Sequence, residues 1–196
     1  MQLRILQVGD PRLRLKSAPI TTATPTLQEL ARDMVQTMRA HDGVGLAAPQ
    51  VGVNQRLVVV EVPEDMDAEE LDWTQTQLLI LLNPEVVELE DFREVREGCL
   101  SLPGYITYIE RAHNITTHAD TLDGHSVSIE AGGLLAQAIQ HEVEHLDGVL
   151  IQDHVGGIRN LTRIPPPWVA LPGDPEARSR RGAEEDQDAE EPTATD

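Results

Sequence analysis

Gln140-His141-Glu142-Val143-Glu144-His145 is the stretch on which the reading of this chain turns. Around it Leu134, Leu135, Ala138, Ile139 and Leu146 recur at helical spacing, and Gly148 stands where a helix would stop. The pattern predicts a helix from about Gly132 to Asp147, apolar enough to lie in a core. Residues four apart on a helix share one face, so His141 and His145 converge. Two imidazoles so placed can hold one metal ion, with Glu142 beside them as general base towards a water. A solvated helix with two surface histidines would leave the apolar neighbours unexplained. Chance would supply H-E-x-x-H in a chain of this composition with a probability of only ~0.02.

A catalytic metal needs a third protein ligand and an open position. The single cysteine, Cys99, lies in Glu97-Gly98-Cys99-Leu100-Ser101, followed by the turn-forming Leu102-Pro103-Gly104. A cysteine taken alone is more often a small buried hydrophobe than a ligand. His113, His118, His125 and the carboxylates remain the other candidates for third ligand.

A further segment, Gly43-Val44-Gly45-Leu46-Ala47-Ala48-Pro49-Gln50-Val51-Gly52, is small, apolar and glycine-rich. It lacks the G-K-[ST] ending of a P-loop and the spacing of a dinucleotide loop. Its plainer reading is a tight helix-to-strand connection. Its functional reading is a backbone wall that a ligand can approach closely, which glycine permits. Gln50 is the one side chain there able to donate a hydrogen bond.

The remaining elements follow from periodicity. Thr26 and Glu29 have the spacing of a capping box, opening a helix after Pro25 with Leu27, Leu30, Ala31, Met34 and Met38 on one face and Gly43 as its stop. Arg56–Val62, Leu78–Leu82 and Glu85–Glu90 read as strands, with an acidic loop over residues 63–77. Asn114–Ala119 and Ser126–Glu130 flank Asp123-Gly124, a hairpin signal. Strands ahead of a late helix predict an α+β fold, with mixed or antiparallel sheets packed around a C-terminal metal-binding helix.

Acids outnumber bases 34 to 15, a net charge of −19, which disfavours nucleic acid and anionic membrane surfaces as partners. Apolar residues make up 40% and aromatics 3%, so the core must be aliphatic. One cysteine excludes a disulfide-stapled secreted class. With neither a signal-like apolar run nor a stretch of ~18 apolar residues, a bacterial-type cytoplasmic location is expected. Residues 1–164 are expected to form one domain. Residues 165–196, rich in proline and acid, are expected to be a disordered tail in which Trp168, Val169 and Leu171 are the residues able to touch the core.

Taken together, Gly43–Gln50, Glu97–Ser101 and Gln140–Leu146 resemble the peptide deformylase motifs G-x-G-L-A-A-x-Q, E-G-C-L-S and Q-H-E-x-D-H-L, in that order. Gly9-Asp10-Pro11-Arg12-Leu13 is similar to the family's opening arm, and the resemblance spans roughly residues 1–155. It implies Cys99, His141 and His145 as metal ligands, Glu142 as general acid/base, and Gln50 with the Leu100 backbone N–H as oxyanion donors. Gly45 would contact the substrate backbone. Val44, Val95, Leu134 and Ala138 would line a methionine pocket, with Gln137 at its rim. The implied reaction removes the N-formyl group from the initiator methionine of nascent peptides and releases formate. The implied ion is Fe²⁺, with Zn²⁺, Ni²⁺ or Co²⁺ able to substitute. Ligand softness alone would favour Zn²⁺.

Departures from the family pattern are specific. Glu144 stands where an aspartate is usual, and Ile106 where a basic residue is common, while Arg111 matches a usual arginine, the expected partner of residue 144. Ile151-Gln152-Asp153-His154 follows the pattern loosely. Some relatives dock on the ribosome through a basic C-terminal helix. This tail is acidic, so a contact with the ribosome exit region rests on the resemblance alone. Two alternatives stay open: another H-E-x-x-H metallohydrolase, whose third ligand would be histidine or glutamate, and a deformylase-like paralog that binds without turnover.

Overall fold

A computed structural model describes residues 1–64 and 72–164. The expected tail at 165–196 lies outside the described residues, as do residues 65–71 of the expected acidic loop. The described elements are helix α1 (Pro25–Ala40), β1 (Gly45–Ala47), β2 (Leu57–Pro63), β3 (Thr76–Gly98), β4 (Tyr105–Asp120), β5 (Ser126–Gly132), helix α2 (Gly133–Leu146) and β6 (Thr162–Arg163). The strands run in the order β1-β2-β3-β4-β5, with β6 beside the start of β4, and every pairing between them is antiparallel. The α+β architecture expected from the sequence is the one observed.

Helix α1 is capped two residues before the Thr26 of its expected capping box. Thr24 caps it, accepting from Leu27 N at 3.2 Å, with Pro25 in the first turn. Proline there needs no N–H and presets φ, so Thr24-Pro25 outcompetes the Thr26/Glu29 pair. At the other end Asp42, at φ 52°, takes the left-handed position, and Gly43 N returns to Met38 O at 3.0 Å.

The predicted strands at 78–82 and 85–90 are one strand. β3 runs 23 residues and absorbs Asn83-Pro84 at an irregularity in its pairing with β4. Asn83 adopts φ 51°, while its amide exchanges hydrogen bonds with Ile20 N and O at 2.8 Å. The missing proline donor is thus tolerated at a bulge rather than ending the strand.

Helix α2 is buried along its length, with Leu135, Ala136, Ala138, Ile139 and Leu146 packed with Val58, Val60 and Val62 of β2 and Ile115 of β4. Gln140 locks it to β4: its Oε1 accepts from Ala112 N, and its Nε2 donates to Ala112 O and Ala136 O. Helix α1 packs Leu27, Ala31, Met34 and Met38 on Leu57 and Val59 from the other side of β2. The sheet therefore separates two aliphatic cores, and α2 occupies the one that carries the polar site.

Helix α2 ends at Leu146 and is turned off two residues on by Gly148, at φ 75°, where a β-carbon would lie 2.6 Å from Arg14 O. Only glycine supplies both the conformation and the close approach. The N-terminal arm closes the frame, Leu6 N donating to Gln50 O at 2.7 Å and Val8 N to Ser101 O at 2.8 Å.

Candidate active site

Three segments distant in sequence meet at the middle of α2. Cys99 Sγ lies 3.2 Å from His145 Nε2, and the His141 and His145 rings sit edge to face with centroids 4.9 Å apart. One ligand atom from each of Cys99, His141 and His145 lies within 4.8 Å of the other two. Two ligands at ~2.3 and ~2.1 Å from a tetrahedral ion sit ~3.6 Å apart, so the spacing suits a single ion. The soft thiolate and two imidazoles suit a divalent transition metal. Among the described residues this is the group of histidine, cysteine and carboxylate side chains gathered closely enough to hold an ion. His118 and His125 are exposed and His113 is half-buried on β4, so none of these alternative third ligands joins it.

Glu97, read from the sequence only as a neighbour of Cys99, orients this group. His141 Nδ1 donates to Glu97 Oε2 at 2.9 Å, leaving Nε2 for a metal. Arg111 grips the same carboxylate with two bonds of 2.8 and 3.0 Å, and its other side holds Glu144. The expected Arg111–Glu144 contact is therefore present. Burial alone would push the Glu97 carboxyl up, but His141 and Arg111 hold it down at about 2. Burial likewise opposes charge on His141, yet Cys99 and Glu97 raise its pKa well above the usual value. His145, buried and next to His141, is pushed well down.

Glu142 is 4% exposed, and its Oε2 has no hydrogen-bond partner. Burial raises its pKa to about 7, where a carboxylate can both take and give a proton near neutrality. Gly45 makes this burial possible, because a β-carbon there would fall 2.4 Å from Glu142 Oε1.

A cavity of about 870 Å³ opens in front of these groups, lined by Val44, Gly45, Cys99, Leu100, His141 and Glu142 among others. Leu134 and Ala138 also line it, and so does Gln137, whose Nε2 donates to Arg96 O at 2.9 Å. Val95 is not among the residues that line this cavity. It lies two residues, about 7 Å, back along β3 from Glu97. Arg96 and Gln137 form the wall at that point instead. Gln50 sits behind the thiolate. Its Oε1 accepts from Ala47 N at 2.7 Å, and its Nε2 donates to Ser101 Oγ at 3.2 Å and lies 3.6 Å from Cys99 Sγ.

Residues 2–160 match the family model described as polypeptide deformylase. The chain belongs to the polypeptide deformylase family. It is 41% identical over 161 residues to a peptide deformylase of Thermomicrobium roseum, covering 82% of this chain and 90% of that protein. It is 40% identical to one from Dehalococcoides mccartyi, covering 83% and 92%. Among solved structures, the peptide deformylase of Thermotoga maritima superposes with a TM-score of 0.70 at 37% identity, over 79% of this chain and 97% of that one. The deformylase family is metal-dependent, which agrees with the gathering of Cys99, His141 and His145. Of the alternatives, a metallohydrolase with histidine or glutamate as third ligand is not what the described residues offer: the group close enough to hold one ion joins Cys99 to His141 and His145.

Proposed function

We propose that this deformylase-family chain hydrolyses the formamide of N-formylmethionyl peptides with Cys99, His141 and His145 holding one Fe²⁺, for which Zn²⁺, Ni²⁺ or Co²⁺ can substitute. The observation that carries the reading is the gathering of these three ligands beside a buried Glu142 whose Oε2 has no partner, with Cys99, His141 and Glu142 all lining one cavity. When bound, the ion supplies Lewis-acid chemistry, polarising the formyl carbonyl and acidifying water.

The residues of the chain do the rest. Glu142 takes the proton from the attacking water and delivers it to the methionine nitrogen as the C–N bond breaks, releasing formate. The Gln50 Nε2–H and the Leu100 backbone N–H donate to the developing oxyanion. Among the described residues strand β1 ends the sheet order, pairing along one edge with β2. Its residue Gly45 lines the cavity, so an extended peptide can lie along its backbone. Val44, Leu134 and Ala138 offer the methionine side chain an apolar wall.

The substrate class sets the reaction in the bacterial-type cytoplasm, on nascent chains near the ribosome exit region. Among the described residues no helix is long and apolar enough to cross a membrane. Neither a membrane nor a nucleic acid is needed as partner.

The test is formate release from formyl-Met peptides alongside metal content in Cys99→Ala and His141→Ala. Both variants should lose stoichiometric metal and turnover together. Full metal content in folded Cys99→Ala would remove Cys99 from the ligand set.

A further inference from the structure

Glu144 and His154 extend the carboxylate network beyond the groups that face the metal site. The Arg111 guanidinium holds Glu97 on one side and Glu144 on the other, and His154 Nε2–H donates to Glu144 Oε2 at 2.8 Å. The side chains of Arg111 and Glu97 are 4% and 3% exposed, whereas His154 and Glu144 are 28% and 26% exposed. One continuous path thus runs from solvent to the imidazole of His141.

We propose that His154 is a positioning residue for His141, acting through Glu144, Arg111 and Glu97. A glutamate at 144 has one more rotatable bond than an aspartate and stands at the surface, so rotamer entropy favours its swinging into water. If it did so, the guanidinium would lose its outer pair of bonds, and Glu97 would be free to rotate with the imidazole it holds. The His154 hydrogen bond opposes that swing. His154 is itself fixed from outside the site: it follows the turn Ile151–Asp153, where Asp153 accepts from Leu150 N at 2.9 Å and from Arg14 Nη2 at 2.8 Å. A neutral imidazole suffices, because the bond needs one N–H. The longer acid and the histidine therefore act as a matched pair. The proposal rests on Cys99, His141 and His145 being the metal ligands.

The test measures how fast a chelator strips Co²⁺ from the loaded protein, followed by the visible absorption of the cobalt centre. His154→Leu should release cobalt ~10-fold faster than the parent, the lower end of what partners behind a metal ligand contribute. His154→Gln keeps an N–H donor and should stay near the parent. In a Glu144→Asp background the shorter acid reaches Arg111 but not residue 154, so adding His154→Leu should change nothing further. Should leucine disturb the fold, His154→Ala carries the same expectations. Parent-like release from folded His154→Leu would overturn the proposal. So would His154→Gln releasing as fast as His154→Leu, or additive effects in the Glu144→Asp background. A parent that takes up no cobalt would overturn the metal assignment itself and the proposal with it.

Discussion

Gly45 and Glu142 are in contact across the helix–strand interface, the hydrogen of one standing where a β-carbon would meet Oε1 of the other at 2.4 Å. The glycine thus leaves the space in which the Glu142 carboxylate sits, whatever its backbone offers a peptide. Gly45→Ala should displace Glu142 without touching Cys99, His141 or His145. A misplacement of about 1 Å can cost ~10²-fold in rate, and that is the loss expected in kcat. Metal content should stay at the parental level. Parental turnover in the variant would show that Glu142 has room the structure does not give it.

The pKa of Glu142 predicts a pH effect on the metal-free protein. Its ordinary value is 4.5 and burial raises it to about 7 in the folded chain. Below the lower value both states hold the proton. Between the two, the unfolded chain releases it and the folded chain does not, so stability falls as pH rises. A gap of about 2.5 pH units corresponds to about 3 kcal/mol lost by pH 7. Glu142→Gln should abolish that fall, and urea denaturation of both proteins across pH 4.5 to 7.5 measures it. Parallel stability curves would mean that Glu142 ionises freely in the folded state.

Much of this architecture could be read before any coordinates. The His141–His145 pair, the apolar face of α2 and its stop at Gly148 depend on local spacing, and local spacing is what a sequence displays. What depends on which segments become neighbours in space was hidden. Glu97 reads as a residue beside a cysteine until β4 pairs with β3 and brings Arg111 to it, and the packing of α2 brings His141. Gln140 reads as one polar residue on a helix until Ala112 lies opposite. Asn83-Pro84 reads as a break because proline lacks an N–H, while the bulge that accommodates it depends on Ile20, 63 residues away in sequence.

Gln140 gives a stability prediction independent of catalysis. Its amide satisfies both Ala112 N and Ala112 O in the buried interface. Gln140→Ala leaves both backbone groups unpaired away from water. Each unsatisfied group typically costs ~1–3 kcal/mol, so a loss of roughly 2–6 kcal/mol is expected. Chemical denaturation measures it, and a change below about 1 kcal/mol would mean that water replaces the amide.

Loading of the site should itself depend on proton concentration. The raised pKa of His141 means that the metal-free imidazole carries a proton that a bound ion must displace. Metal affinity should therefore fall as pH drops, and uptake should release protons into weak buffer. Titration calorimetry in buffers of different ionisation enthalpy counts those protons. A buffer-independent heat would contradict the charged state assigned to His141.

The central claim is that metal binding and proton transfer are divided between Cys99, His141 and His145 on one side and Glu142 on the other. The most direct measurement is formate release from a formyl-Met peptide by iron-loaded parent and Glu142→Ala proteins under anaerobic conditions, with the metal in each sample counted. The account predicts one ion per chain in both proteins and a rate lower by ~10²–10⁴ in the variant, the usual contribution of a positioned acid/base. Near-parental formate release by the metal-loaded variant, or none by the metal-loaded parent, would contradict it.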